Sequence, residues 1–421
     1  MCSAPASTAS SSIFRNYLQL PAALHILCAG TFLNKAGSFV IVFMTLYVTE
    51  HLKLDATFAT RCIGAFGVGS ILSALIGGQL ADRFGRRSTM IFALWGGAVM
   101  LALISVVNDG LTFMLCVFVF AVIAEMYRPA SAAMIGDLVP PSQRAFAFGL
   151  MYIAINLGFA VAPPVGGLLA DHSFQLLFWG DAVTTAFYGF VILLFIRETH
   201  PGFAQTNSSS HSPDHTTHAD IPLRAAVRII LKDRTFMAWC LGNLLTSLVF
   251  MQAFSTLPLY MRELGYSKGD YGRMICINGI LIVLLQVPMT HFLSRFNRVS
   301  LILAGELLLG IGFGLTAFAT TTWHFLGTIV IWTLGEIIQA PFKQAIVADM
   351  APRELRARYQ GVFTMSHSVA MAVGPPVGGE ILSRFGAASV WITTFFVILM
   401  AISIYCMIFQ RLTALAAQRT G

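Results

Sequence analysis

AMIGDLVPPSQRAFAFG (residues 133–149) and AIVADMAPRELRARYQG (residues 345–361) align without a gap when the chain is shifted by 212 positions. The same shift lays VAPPVGG (161–167) on VGPPVGG (373–379) and DRFGR (82–86) on SRFNR (294–298). Pro129 falls on Pro341, Asp137 on Asp349 and Arg144 on Arg356. One register held across three separated stretches marks an internal duplication. The chain is two related halves.

Composition says what those halves live in. Of 421 residues, 57% are hydrophobic and 11% charged, whereas soluble domains carry about 25% charged residues. There is too little polar surface to face water. Windows of roughly 20 apolar residues, the length that crosses a bilayer, fall at 20–49, 59–80, 88–107, 111–136, 144–170 and 175–196. Six more follow at 237–261, 274–293, 300–318, 324–348, 357–383 and 389–410. The expected fold is an all-α polytopic membrane protein: twelve transmembrane helices in two pseudo-symmetric six-helix bundles, 20–198 and 237–410. A tail (1–19), a linker (199–236) and a second tail (411–421) complete it. Six spans per half make the halves parallel. Parallel repeats of this kind typify one class of secondary transporters, whose sites lie between the halves near the midplane.

The positive charges orient the spans. With both termini inside, cytoplasmic segments hold 17 of the 26 Lys and Arg residues, outer segments six, and the spans only Lys35, Arg128 and Lys343. This is the positive-inside pattern, and it accounts for the net charge of +7 without a nucleic-acid partner. A multi-pass protein of the cell (plasma or inner) membrane is expected. The seven cysteines show no paired spacing and read as small apolar residues. The N-terminal MCSAPASTASSSIF lacks a clear cleavage site, so no removed signal is expected. The linker has disordered composition. Its histidines (His200, His211, His215, His218) are too irregularly spaced for a metal site, and its Asn207 sequon falls on the cytoplasmic side. Arg224, Arg228 and Lys232 then line one face of a helix suited to the inner leaflet. GAFGVGS (64–70) follows no strand and lacks the Lys-Ser/Thr ending of a phosphate loop, so it reads as a packing face. No cofactor is called for, and any uphill transport must draw on an ion gradient.

GGQLADRFGRR (77–87) between spans two and three resembles the signature of the major facilitator superfamily, matching Gly-x-Leu-Ala-Asp-Arg-x-Gly-Arg-Arg from Gly78 to Arg87. GFAVAPPVGG (Gly158, Pro163, Pro164, Gly166, Gly167) resembles the span-five motif of its drug:proton antiporter branch. It departs from that motif at Ala162, and a second copy follows at Gly374, Pro375, Pro376, Gly378 and Gly379. Physical chemistry supports both motifs. Gly85 permits positive φ in a tight turn, as Asn297 could in the second half. Gly78 allows close helix approach, and the prolines bend their helices. The resemblance implies that Asp82, with Arg83, Arg86, Arg87 and Asp137, forms a cytoplasmic gate. In it Asp82 would contact the start of span eleven near Gly361 and latch that side shut in the outward-facing state. Read without the resemblance, the same arginines are topology signals.

Charges within a span cost at least about 2.5–3.5 kcal/mol at its centre. Lys35 falls near the middle of span one, Glu125 and Arg128 near the middle of span four, and Glu336 near the middle of span ten. Gln339 and Lys343 are expected on the same face as Glu336. The resemblance places these spans around a central cavity, so Glu125 or Glu336 is a candidate proton carrier, with Lys35, Arg128 or Lys343 answering it. Permanent ion pairs holding helices together are the alternative. Glu306 and Asp181 read as peripheral and structural, the latter near the outer surface. The expected function is proton-coupled efflux of small lipophilic or cationic molecules by a monomer. Uptake of a metabolite by symport or uniport, or a non-transporting membrane sensor, are the other readings.

Overall fold

The computed structural model describes residues 20–140, 143–199, 223–352 and 355–417. The linker histidines and the Asn207 sequon lie outside them. Span one is Ala22–His51, span two Ala56–Phe84, span three Arg86–Ile104, span four Gly110–Leu138, span five Arg144–His172 and span six Phe174–Phe195. A short helix, Leu223–Lys232, precedes span seven, which runs through Arg234–Phe250, Gln252–Ser255 and Leu257–Glu263. Spans eight to twelve are Lys268–Leu293, Arg298–Leu315, Thr322–Met350, Arg356–Phe385 and Ala387–Ala417. Among the described residues, eleven helices are long and apolar enough to cross a membrane. Span eleven has the length but not the composition, because Gln360, Thr364, Ser366, His367 and Ser368 interrupt it. Large apolar side chains such as Leu194, Phe195, Phe318 and Met407 face outward, as lipid-facing surface must.

The duplication is visible in the packing. Spans 1–5, 1–6, 2–4, 3–4 and 3–6 pack in the first half, and their counterparts 7–11, 7–12, 8–10, 9–10 and 9–12 pack in the second. Both leading spans break at the same repeat position. The helix of span one stops at Ala36 and restarts after Phe39, and span seven breaks at Met251, 212 residues on.

The halves meet along two seams, span two on span eleven and span five on span eight. The proline–glycine motifs build them by removing Cβ atoms. A Cβ on Gly64 would lie 2.6 Å from Pro376 Cγ, one on Gly167 2.9 Å from Gly269 Cα, and one on Gly279 2.8 Å from Ala160 Cα. The GAFGVGS stretch is thus a packing face in span two. All these contacts lie toward the end remote from the basic loops. There a single apolar core runs through both halves, including an edge-to-face contact of Phe43 with Tyr271. Toward the basic end the core divides into two separate clusters, one per half. A Cβ added to Gly78, Gly149 or Gly361 would meet nothing within 4 Å. The molecule is closed at its far end and open at its basic end.

Candidate functional site

The cleft between the halves is built around proline-bent helices. Pro129 lacks the N–H that would bind the carbonyl of Glu125 four residues back, and span four breaks there. Arg128 N–H takes that carbonyl at 3.1 Å instead. Pro341 frees the Ile337 carbonyl of span ten, and Gln286 of span eight donates to it at 3.1 Å. Each bend sets a carboxylate beside the cleft.

The two carboxylates have different company. Glu125 is locked to Arg128 at 2.6 Å, and the guanidinium is 62% exposed. Glu336, half-buried, accepts a hydrogen bond from the Asn278 amide at 2.9 Å, and that amide also reaches Thr333 at 3.1 Å. Among the described residues no cation pairs with Glu336. Across the cleft from each stands a polar group of the other half. Tyr152 of span five lies within electrostatic reach of Glu336. His367 of span eleven lies within reach of Glu125 and Arg128, and contacts Ser247 at 3.4 Å. Asn243 donates to Ser366 nearby at 2.7 Å. Lys35 sits against Gly158, whose missing Cβ makes room for it, within reach of Glu125, Arg128 and Asp181.

Gln339 and Lys343 are not in this group. Gln339 packs on Gly305 of span nine. Lys343 is paired with Glu306 at 2.5 Å deep in the second half, with Thr246 donating to the same carboxylate at 2.8 Å and the Tyr405 ring 5.4 Å from the ammonium. The expectation that both share the face of Glu336 fails: Gln339 turns toward span nine, and Lys343 lies beyond Pro341, where it meets Glu306. Asp181 is buried at the break of span one, where it accepts from the Val40 N–H.

At the basic end Gly85 has φ +97°, and a side chain there would run into the Glu198 carboxylate. Glu198 accepts the Arg86 and Arg87 backbone N–H groups at 2.9 and 3.1 Å, closing the start of span three. Asn297 does not share the positive φ. At −64° it caps span nine, accepting from Val299 and Ser300. Arg86 bridges Asp82 (3.0 Å) and Asp137 (3.3 Å). Asp82 is 73% exposed and, among the described residues, makes no hydrogen bond or ion pair with span eleven. In the second half Arg298 pairs with Asp349 at 3.0 Å. Ion pairs join the halves at the far end: Glu50 with Arg262 (2.5 Å) and Lys268 (3.3 Å), and Arg61 with Glu380 (3.8 Å). Glu198, His367, Asn278 and Glu50 escape sequence reasoning. A lone polar residue near a helix end or in a span carries no pattern until its partner, far off in the chain, is known.

Two six-helix bundles closed around a cleft lined with charged and polar side chains form a multi-pass membrane transporter, not an enzyme. The chain belongs to the Major Facilitator Superfamily, whose family profile matches residues 27–275 and 253–419. It is 24% identical over 365 residues to a Na(+), Li(+), K(+)/H(+) antiporter of Planococcus maritimus, covering 82% of this chain and 85% of that one. It is 23% identical over 354 residues to multidrug resistance protein MdtH of Aeromonas hydrophila, covering 82% and 84%. The bacterial homolog of the human lysosomal transporter Spinster, solved inward-facing and unoccupied, shares the fold with a TM-score of 0.77 at 15% identity, covering 93% and 97%.

Proposed function

We propose that the protein exports small lipophilic or cationic molecules in exchange for protons, by rocking of its two halves. The basic end is the cytoplasmic one by the distribution of Lys and Arg, so the conformation described is inward-facing. The observation that carries the reading is Glu336, a carboxylate beside the cleft whose donor is a neutral amide. Glu125 already has its counter-ion in Arg128. Glu336 has none, so its charge must be answered from outside the fold, by a proton or by a cationic substrate, and the two compete. Substrate entering from the cytoplasm takes the carboxylate and its proton leaves. After the halves rock, a proton from the outer side displaces the substrate, and the protonated carrier returns. One proton enters for each molecule expelled. A charge falling through 100 mV supplies about 2.3 kcal/mol and one pH unit about 1.4 kcal/mol. For a neutral cargo both terms count and sustain a gradient of several hundredfold, at tenfold per roughly 1.4 kcal/mol. For a monovalent cation exchanged one for one no net charge moves, and one pH unit sustains about a tenfold gradient.

In the outward-facing state the basic end closes, bringing Asp82 to the start of span eleven near Gly361. A carboxylate at a helix N-terminus is favoured by about 0.3–1 kcal/mol when exposed, enough for a latch that must also release. The test is the purified monomer in liposomes with a pH-sensitive dye inside and a lipophilic cationic dye as cargo. Cargo entry that drives protons out of the lumen supports exchange. Flux of both in one direction makes the protein an uptake symporter. Absence of flux across a cargo panel makes it a non-transporting sensor.

A further inference from the structure

The break in span one has a chemistry that the break in span seven lacks. At Gly37–Phe39 the helix is interrupted, and the Asp181 carboxylate of span six fills the gap. It accepts from the Val40 N–H at 3.4 Å and from the Thr185 hydroxyl at 3.3 Å. Thr185 in turn accepts from the Asn34 amide at 2.9 Å, so the carboxylate ties both pieces of span one to span six. The equivalent break, at Met251, is filled by a neutral side chain. Gln252 donates to Gly374 O at 2.9 Å and accepts from Ser255 and Thr256 at 3.2 and 3.1 Å. The repeat shift puts Thr393 of span twelve where Asp181 stands. The same joint is therefore built twice, once with an amide that cannot titrate and once with a carboxyl that can.

Lys35 is the charged group within electrostatic reach of Asp181. Asn34, Thr184 and Thr185 are its polar surroundings, and Phe39 and Phe43 its apolar ones toward Gly166 of span five. Lys35 also lies within reach of the Glu125–Arg128 pair beside the cleft. The ammonium thus lies within reach of the carboxylate at the joint and of an ion pair at the cleft.

We propose that Asp181 is a second proton-binding residue, which sets the joint of span one. Ionised, Asp181 holds the Val40 N–H and the Thr185 hydroxyl and so ties the outer piece of span one to span six. Protonated, it loses its charge and this hold weakens, and the outer piece of span one is freed. That piece ends at Glu50, which pairs with Arg262 and Lys268 of the other half. Proton binding at Asp181 thereby favours opening of the far end. This inference rests on proton coupling as proposed above and adds a second site to it.

The test reads conformation without any cargo, so it fails separately from the assignment of Glu336. Spin labels on non-natural residues at the exposed, basic-end positions Ser88 and Ser300 report the distance between the halves in the reconstituted full chain. In a Glu336→Gln background the ratio of the two states should still change about tenfold from acid to alkaline pH, as for one group whose proton affinity differs tenfold between states. Adding Asp181→Asn, which keeps the size and one acceptor oxygen, should remove at least half of that response. Asp181→Glu should retain it and controls for a merely structural role. The proposal is overturned if Asp181→Asn removes less than half of the response, if Asp181→Glu loses it as Asn does, or if Glu336→Gln alone abolishes it.

Discussion

Lys343→Met separates the two roles that a buried cation in span ten could have. The Lys343 and Glu306 side chains are 6% and 0% exposed and lie 2.5 Å apart. Both Lys343 and Thr246 reach Oε1 of Glu306, and Oε2 makes no hydrogen bond among the described residues. Removing the ammonium leaves that carboxylate buried with the Thr246 hydroxyl as its remaining donor. Breaking one side of a buried pair costs about 3–5 kcal/mol, whereas replacing both sides with apolar groups of similar volume is neutral or stabilising by about 1–4 kcal/mol. Lys343→Met should therefore destabilise the second half strongly, and Glu306→Leu with Lys343→Met should recover most of the loss. The coupling energy between the two changes should be about 3 kcal/mol or more. The assay is denaturant unfolding of the purified variants in mixed micelles, comparing midpoints at unchanged slope, together with proton-driven transport by the double variant. Normal transport by a stable double variant fits an ion pair that only holds helices together. A single variant as stable as the parent, or a stable double variant without proton-driven transport, refutes the structural reading and returns Lys343 to the mechanism.

Gly85→Ala must place a side chain at φ +97° and against Glu198, a strain of about 1–3 kcal/mol; turnover should fall while equilibrium cargo binding in the inward-facing state stays near normal. Asp82→Asn should likewise slow turnover more than it weakens binding, because its contact belongs to the opposite state. Unchanged turnover removes the gate from the account. Glu50→Gln removes two ion pairs across the far end, and at about 1 kcal/mol for such partly exposed pairs the balance should shift about fivefold toward opening there, read by distance between spin labels on the two halves. An unshifted distribution means that the glycine seams, the shared apolar core and the Arg61–Glu380 pair hold that end shut without Glu50.

Much of the fold is legible in the chain because duplication writes the same physics twice. Two halves in one register and twelve apolar windows lead directly to the paired bundles, and the prolines at 129 and 341 mark where spans four and ten bend. The candidate site is legible only in its charged members. Lys35, Glu125, Arg128 and Glu336 stand out because charge in a span is costly, and the structure gathers them near the cleft. Lys343 has the same signal but goes elsewhere, beyond Pro341 to Glu306. Asp181 carries the signal too, but only the packed structure shows the interruption at Gly37–Phe39 that its carboxylate meets. Asn278, His367 and Glu198 act through partners between 58 and about 240 residues away, and pairings at that range are a property of the packed helices.

The central claim is that Glu336 carries the coupled proton, and one comparison tests it most directly. Glu336→Gln and the parent are reconstituted side by side, and each is assayed for pH-driven accumulation of the cationic dye and for exchange of that dye across the membrane with no proton gradient. The account predicts that Glu336→Gln loses pH-driven accumulation at every dye concentration and retains exchange only at raised dye concentration, since the halves still rock but the carboxylate that holds proton and dye in turn is gone. Accumulation driven by pH at the parent's level would contradict it.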